Sequence, residues 1–386
     1  MKIAILADNF PAPGRPKFVF VQQLVFALVD MGHQVSVIAP QSITHALLRG
    51  ERLLPRHKRE QTSHGNCFDV YRPYDVSFGN GKQWLYNLTA KLRKRGVQNA
   101  LEQIQPEVLY GHFWHSAYKL KDYAIAYQLP LFVACGEGDN ALEDLVAGLP
   151  PQEKQELVGA VTGVISVSSE NKRKCIEFGL VKEEQIIVLP NCVNTAVFYP
   201  HLNLKKREEL GVAPSDFLIV FVGSFIYRKG PHRLAAAVKQ VNQPDMKVVF
   251  IGQPMGSDMC DPVCPGIVFK GMVGHELIPE FFSCADVFVL PTLKEGCSNA
   301  IVEALAMGVP VVSSLGAFND DILNENNSIR VDPMDVHAIA DALLRMKTDK
   351  AFYARLKKHL LQTHHCYSIE SRAQAIISFM RATIAR

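Results

Sequence analysis

Glu295 and Glu303 stand eight positions apart in the stretch from Pro291 to Ser314. Ala285 to Leu290, just before them, is an apolar run that reads as a short buried strand, and Pro291, Thr292, Gly296 and Ser298 mark a loop after it. Ser298 or Asn299 can cap a helix whose residues Ala300 to Met307 are apolar except for Glu303; Gly308 suits a left-handed stop before Pro310 and a second apolar strand. A carboxylate on so apolar a helix costs several kcal/mol to bury alone, so Glu303 calls for a hydroxyl-rich or donor-rich ligand, or a cation. Glu295 falls in the loop at a strand's carboxyl end, where ligands bind in open α/β sheets. The free amides around Cys297, Ser298 and Asn299 make an anion site at the helix start. A phosphate between two carboxylates, with hydroxyls for both to hold, describes a nucleotide sugar.

A second cluster lies at Gly223-Ser224-Phe225-Ile226-Tyr227-Arg228-Lys229-Gly230-Pro231. Pro231 suits the first turn of a helix and Gly230 a tight approach, which puts Arg228 and Lys229 just before a helix N-terminus, a natural seat for a diphosphate. Arg228 reads equally as a solvated loop cation.

These residues need strands that end where the loops begin, and the chain supplies them in two series. In the first half, strands at Ile3–Ala7, Gln34–Ala39, Phe68–Arg72, Val108–Tyr110, Leu131–Ala134, Gly163–Val167 and Ile186–Leu189 alternate with helical periodicity. The second series starts at Phe217 and places Gly223, Gly252 and Gly271 after three successive strands. Alternation of this kind means right-handed βαβ units and parallel sheets covered on both faces. Helices are expected over Val336–Met346 and Asp349–His364, and a last one from about 368 to 385.

At 386 residues the chain is long enough for two cores. Its 48% apolar and 20% charged residues describe an ordinary globular protein. No apolar run reaches the ~18 residues of a membrane helix, and the start reads as a first strand, not a signal peptide, so a cytoplasmic location is expected. Nine cysteines at scattered spacing fit a reducing compartment; Cys260 and Cys264 read as a loop with free thiols. No Asp-x-Asp pair falls at a strand end, and no metal is expected. From Arg49 to Arg95 eleven Lys or Arg face four acids, a local excess of seven. This segment is either a solvated helix face with a loop or a patch for an anionic membrane surface or acceptor; nothing accompanies it that would read nucleic acid.

The glutamate pair in its strand–loop–helix setting resembles the signature of the retaining glycosyltransferases of the GT-B fold, family four. The resemblance spans nearly the whole chain and is strongest from Gly163 to Ser314. It implies two Rossmann-like domains: an acceptor-binding one over 1–195, on which a C-terminal helix of about 368–386 packs back, and a donor-binding one over 196–367. It implies that Glu295 faces the donor sugar, that Glu303 holds the ribose, and that the amides of Gly296, Cys297, Ser298 and Asn299 meet the diphosphate. Gly223 matches the strand-end glycine and Lys229 the phosphate lysine, whereas Ser224 stands where the family has an arginine, a charge that Arg228 can replace. The backbone of Gly271 and Val273 would face the base. His112, in Tyr110-Gly111-His112, aligns with a histidine near the donor sugar, while His115 reads as a core histidine. Glu137, Asp139 and Asn140 bind acceptor or shape a turn. Gly14 and Arg15, in a first loop that lacks the family's paired glycines, could touch phosphate or acceptor. Asn191-Cys192-Val193-Asn194 resembles an interdomain segment and reads as structural.

The activity so implied is transfer of a hexosyl group from a UDP- or GDP-linked sugar to a glycan or lipid-linked acceptor, with retention, without cofactor or metal, in cell-surface polysaccharide or lipopolysaccharide synthesis. Rivals are a GT-B sugar-nucleotide epimerase and an inactive nucleotide-sugar-binding subunit. A peripheral place at the inner membrane face follows if the Arg49–Arg95 charge meets lipid.

Overall fold

The computed structural model describes residues 1–12, 18–77, 83–138 and 140–386. Gly14, Arg15 and Asp139, three of the candidate ligand-loop residues, lie outside the described residues. The chain divides into two units, one of residues 1–167, 171–189 and 372–386, the other of residues 168–170 and 190–371.

The first unit begins with β1 (Lys2–Leu6), α1 (Val19–Asp30), β2 (Gln34–Ile38), β3 (Gln41–Ser42), α2 (Ile43–Leu48), β4 (His57–Gln61), β5 (Cys67–Tyr71) and β6 (Tyr74–Asp75). It continues with α3 (Gln83–Ile104), β7 (Val108–His112), α4 (Trp114–Tyr127), β8 (Leu131–Cys135), α5 (Ala141–Gly148), α6 (Pro151–Ala160), β9 (Val161–Ser166), α7 (Ser169–Glu177) and β10 (Ile186–Val188). Eight strands form one sheet in the order β10-β9-β8-β7-β1-β2-β5-β4. All neighbours run parallel except β4, which lies antiparallel on β5. β4 reads HKREQ; with no apolar alternation it carries no strand signature, and its charges suit an edge that must not pair further. The inner strands are continuous apolar runs because both faces are covered.

The second unit holds α8 (Leu204–Glu209), β11 (Phe217–Val222), α9 (Pro231–Val241), β12 (Met246–Ile251), β13 (Ile267–Gly271), α10 (Ile278–Phe282), β14 (Val287–Leu290), α11 (Asn299–Ala306), β15 (Val311–Ser314), β16 (Ser328–Val331), α12 (Val336–Thr348) and α13 (Lys350–Thr363). Its six strands are all parallel, in the order β13-β12-β11-β14-β15-β16. The Asp349 carboxylate accepts from the Phe352 amide and so starts α13, an ordinary aspartate cap. The last helix, α14 (Ile369–Ile384), has its residues from Arg372 in the first unit. There Phe379 packs edge-on against Phe132 of β8, and the Arg372 Nε donates to the Leu189 carbonyl at 3.3 Å.

The basic segment from Arg49 to Arg95 is only partly solvated. Arg72 is buried and pairs with Glu60 at 3.3 Å, and the Arg93 Nε donates to the Asp75 carboxylate at 2.6 Å. By contrast Leu47 and Leu48, at the end of α2 beside Arg49, are 74% and 84% exposed.

Candidate active site

In the second sheet the strand order reverses at β11, which has β12 on one side and β14 on the other. A crevice opens at the carboxyl ends of strands at such a reversal. The loops that leave β11 and β14 carry Arg228 and Lys229 on one side, Thr292 and Glu295 on the other. The Lys229 Nζ donates to the Glu295 Oε1 at 2.5 Å, the Arg228 Nη1 reaches the same oxygen at 3.4 Å, and the Thr292 hydroxyl donates to it at 2.8 Å. All three contacts fall on Oε1, so Oε2 has no partner among the described residues. The Glu295 side chain is only 9% exposed, with two cations against it. Sequence reasoning left Arg228 between a solvated cation and a phosphate ligand; its Nη1 also donates to the Lys294 carbonyl at 2.6 Å, which fixes it in the site.

Gly230 makes this convergence possible. Its φ of 75° is left-handed, and a Cβ there would lie 2.5 Å from the Pro291 carbonyl oxygen. Arg233, missed in the sequence, is buried without a carboxylate partner among the described residues; its Nη2 donates to the carbonyls of Pro291 at 2.8 Å and Arg228 at 3.2 Å. It thus staples the β11 loop to the end of β14. Its position on an amphipathic helix start gave no signal of this, because an arginine there normally faces water.

Glu303 is buried on α11, as its apolar neighbours required, but it is not a lone carboxylate. The His275 Nε2 donates to its Oε1 at 2.8 Å. Burial works against a charged His275 ring, yet the hydrogen bond and charge of Glu303 outweigh it and hold the ring's pKa above the ordinary histidine value. Phe198 lies against the ring at 5.5 Å between centroids. His275 follows the loop Gly271-Met272-Val273-Gly274 after β13; the sequence separation of 28 residues hid the pair.

Ser298 occupies the N-cap position of α11, but its side chain makes no capping bond, contrary to expectation. The loop is held instead by Asn191, whose Nδ2 donates to the Cys297 carbonyl at 3.1 Å and the Asn299 Oδ1 at 2.8 Å. Gly296, Cys297 and Ser298 are buried around this turn. At the other end Gly308 adopts the left-handed φ of 71° expected of it. Ser224, next to Gly223, has its hydroxyl 3.4 Å from the Met255 sulfur, away from the Glu295 cluster's hydrogen bonds.

In the first unit His112 ends β7 and is buried, with Phe18, Phe20 and Phe113 around its ring at 6.2, 5.3 and 4.5 Å. Neither ring nitrogen has a hydrogen-bond partner among the described residues. Desolvation, helped by the charge of Arg372, pushes its pKa down to about 3, so the ring is neutral and able both to donate and to accept. Phe113, which follows, holds a φ of 73° that a side chain rarely adopts, the kind of strain found at functional turns. His115 is exposed, not the core histidine expected, because it falls one residue into α4 on the outer face. Glu137 is spoken for: its Oε1 accepts from the Trp114 amide at 2.8 Å, which caps α4, and its Oε2 accepts from the neighbouring Gly136 amide at 2.9 Å.

Two family descriptions match this chain: Glycosyltransferase Family 4 over residues 18–197 and Glycosyl transferases group 1 over residues 216–349. The chain belongs to the group 1, family 4 glycosyltransferases. This glycosyltransferase is 24% identical over 376 residues to a glycosyltransferase named for teichuronic acid biosynthesis in Bacillus subtilis, covering 94% of this chain and 93% of that one. It is 30% identical over 201 residues to the Escherichia coli UDP-Gal:α-D-GlcNAc-diphosphoundecaprenol α-1,3-galactosyltransferase, covering 49% of this chain and 52% of that one. Among solved structures, sucrose-phosphate synthase from Thermosynechococcus elongatus superimposes with a TM-score of 0.77 at 19% identity over 99% of both chains, which establishes the GT-B fold. Among the described residues no helix is long and apolar enough to cross a membrane.

Proposed function

We propose that this glycosyltransferase moves a hexosyl group from a nucleoside diphosphate sugar to a glycan or lipid-linked acceptor with retention of anomeric configuration, in the synthesis of a cell-surface polysaccharide or lipopolysaccharide. The observation that carries the reading is the junction of Lys229, Arg228 and Glu295 at the strand reversal. Two cations within reach of one carboxylate serve a donor whose diphosphate is anionic and whose sugar is hydroxylated. Lys229 and Arg228 stabilise the departing diphosphate, together with the open amides at the start of α11. The unpartnered Oε2 of Glu295 accepts from a sugar hydroxyl and steadies the ring as positive charge grows at the anomeric carbon. This arrangement supplies leaving-group charge from side chains and backbone, which supports a reaction that needs neither divalent metal nor cofactor.

Glu303 takes the ribose hydroxyls, with His275 fixing its carboxylate, and the backbone of Gly271 and Val273 takes the base. His112, in the first unit, is a neutral polar ring in an aromatic setting suited to hydrogen-bonding a hydroxyl. The UDP in the name of the E. coli relative favours a UDP-linked donor, and the teichuronic acid relative favours surface polysaccharide. Leu47 and Leu48, exposed beside Arg49, favour a peripheral contact with an anionic membrane surface. The test is incubation with UDP- and GDP-hexoses and candidate lipid-linked acceptors, with proton NMR of the product. An anomeric coupling matching that of the donor supports the proposal; an inverted product, or donor turnover to an epimer without acceptor, overturns it.

A further inference from the structure

Arg228, Lys229 and Arg233 cluster at the strand reversal of the second unit, and Glu295 is the one carboxylate that any of them touches among the described residues. Three positive charges against one negative leave an excess of two. Arg233 packs against the inner side of the turn that carries the other two: a Cβ on Gly230 would stand 2.5 Å from its Nη2. Its partners bring no negative charge. Besides the carbonyls of Pro291 and Arg228, they are the His232 Nε2, 3.3 Å from its Nη1, and the Tyr227 ring, whose centre lies 5.3 Å from the guanidinium carbon. Burial, helped by the charge of Arg233, holds His232 below the ordinary histidine value, so that ring is neutral. The Arg233 Nε is buried with no hydrogen-bond partner among the described residues.

This is a costly place for a cation. Arg233 is only 4% exposed, so water does little to solvate it. It stands in the first turn of α9, where the backbone dipole is positive, and that turn carries no acid. Burial lowers its pKa from the ordinary arginine value, yet a guanidinium keeps its charge in a protein. Stapling two carbonyls calls for hydrogen-bond donors, not for a net charge. An anion seated over Lys229 and the start of α9 offsets the charge excess, the dipole and the unsolvated guanidinium together. We propose that Arg233 is a positioning residue for the donor's diphosphate: it acts through its charge from behind the Arg228–Gly230 turn, out of the ligand's reach, and makes the seat prefer a diphosphate to a monophosphate. The identity of the anion rests on the nucleotide-sugar reading; the need for one rests on Arg233 itself.

The test is calorimetric titration of the full chain with UDP, UMP and inorganic pyrophosphate, at low and at moderate salt, for the unaltered protein and for Arg233→Lys, Arg233→Gln and Arg233→Met. Lysine keeps the charge and a donor, and glutamine keeps a donor without the charge. Methionine fills the buried volume with neither, and serves as the neutral variant if glutamine unfolds the turn. The neutral variants should lose at least about tenfold in affinity for UDP and pyrophosphate and less for UMP, and salt should weaken their binding less steeply than it does in the unaltered protein. Arg233→Lys should stay within about threefold of the unaltered affinities and keep the salt dependence. A loss in Arg233→Lys as deep as in the neutral variants reduces the residue to a staple and overturns the proposal. Pyrophosphate affinity or a UDP-to-UMP preference unchanged in the neutral variants overturns it too, as does pyrophosphate that fails to bind the unaltered chain. UDP that binds no more tightly than pyrophosphate counts instead against the nucleotide-sugar reading, and the variants compared on pyrophosphate alone still decide the role of Arg233.

Discussion

Replacing Glu295 by Gln should separate donor binding from transfer, and in opposite directions. The substitution keeps the shape and leaves an amide oxygen for the Thr292 hydroxyl, 2.8 Å away in the native protein. It removes the charge that Lys229 at 2.5 Å and Arg228 at 3.4 Å now neutralise. In the reaction the carboxylate provides a charge-assisted hydrogen bond to a sugar hydroxyl, a contribution of about 1.5–3 kcal/mol. Its loss from the transition state lowers the rate by about 10- to 150-fold at 1.36 kcal/mol per decade. Meanwhile the two cations are released toward the diphosphate. They are partly exposed, at 18% and 33%, so their pairing with Glu295 is screened and worth on the order of 1 kcal/mol, which makes UDP binding tighter by about fivefold. The measurements are UDP release from the UDP-sugar at initial rate and calorimetric titration with UDP. A rate equal to that of the native enzyme, or an affinity for UDP that falls together with the rate, would refute the reasoning, since either shows that the cluster is not poised over the donor.

The pair of His275 and Glu303 predicts a pH dependence of stability. Because the folded-state pKa of His275 is raised, the pair's contribution is fully present below the unfolded value of 6.5 and is lost as pH rises through the higher folded value. Thermal unfolding followed from pH 6 to 9 should show this decline, and His275→Gln should flatten it; an identical profile in the variant would count against the pair. Glu137→Ala should destabilise the protein by about 1–2 kcal/mol through the exposed start of α4, seen in urea unfolding, while UDP binding stays unchanged. Stability equal to the native protein would return Glu137 to the acceptor-binding role.

Much of the second unit's site was legible in residue order because its parts are local. The strand Val287–Leu290, the loop with Glu295, the helix with Glu303 and the left-handed Gly308 succeed one another within 22 residues, and each follows from apolar periodicity, capping or glycine geometry. Gly230 could be read from its place before Pro231 for the same reason. The apolar runs that alternate with helical spacing were likewise enough to call two parallel sheets, since a strand covered on both faces cannot alternate with polar residues.

Pairing across the sheet was beyond that reach. The strand order decided that the loops after β11 and β14 meet, so that Lys229 touches a carboxylate 66 residues away. It also brought His275 to Glu303, which turned an apparent lone carboxylate into a buried pair, and aimed Arg233 at the Pro291 carbonyl. The role of Glu137 at the start of α4, and the outward place of His115, depended on which turn of a helix faces the sheet. Sequence by itself determined which groups ionise and where backbone must bend, because these are properties of single residues and their near neighbours. Which charges neutralise one another was decided by tertiary structure alone, because chain entropy lets any distant pair meet until the sheet's register selects one.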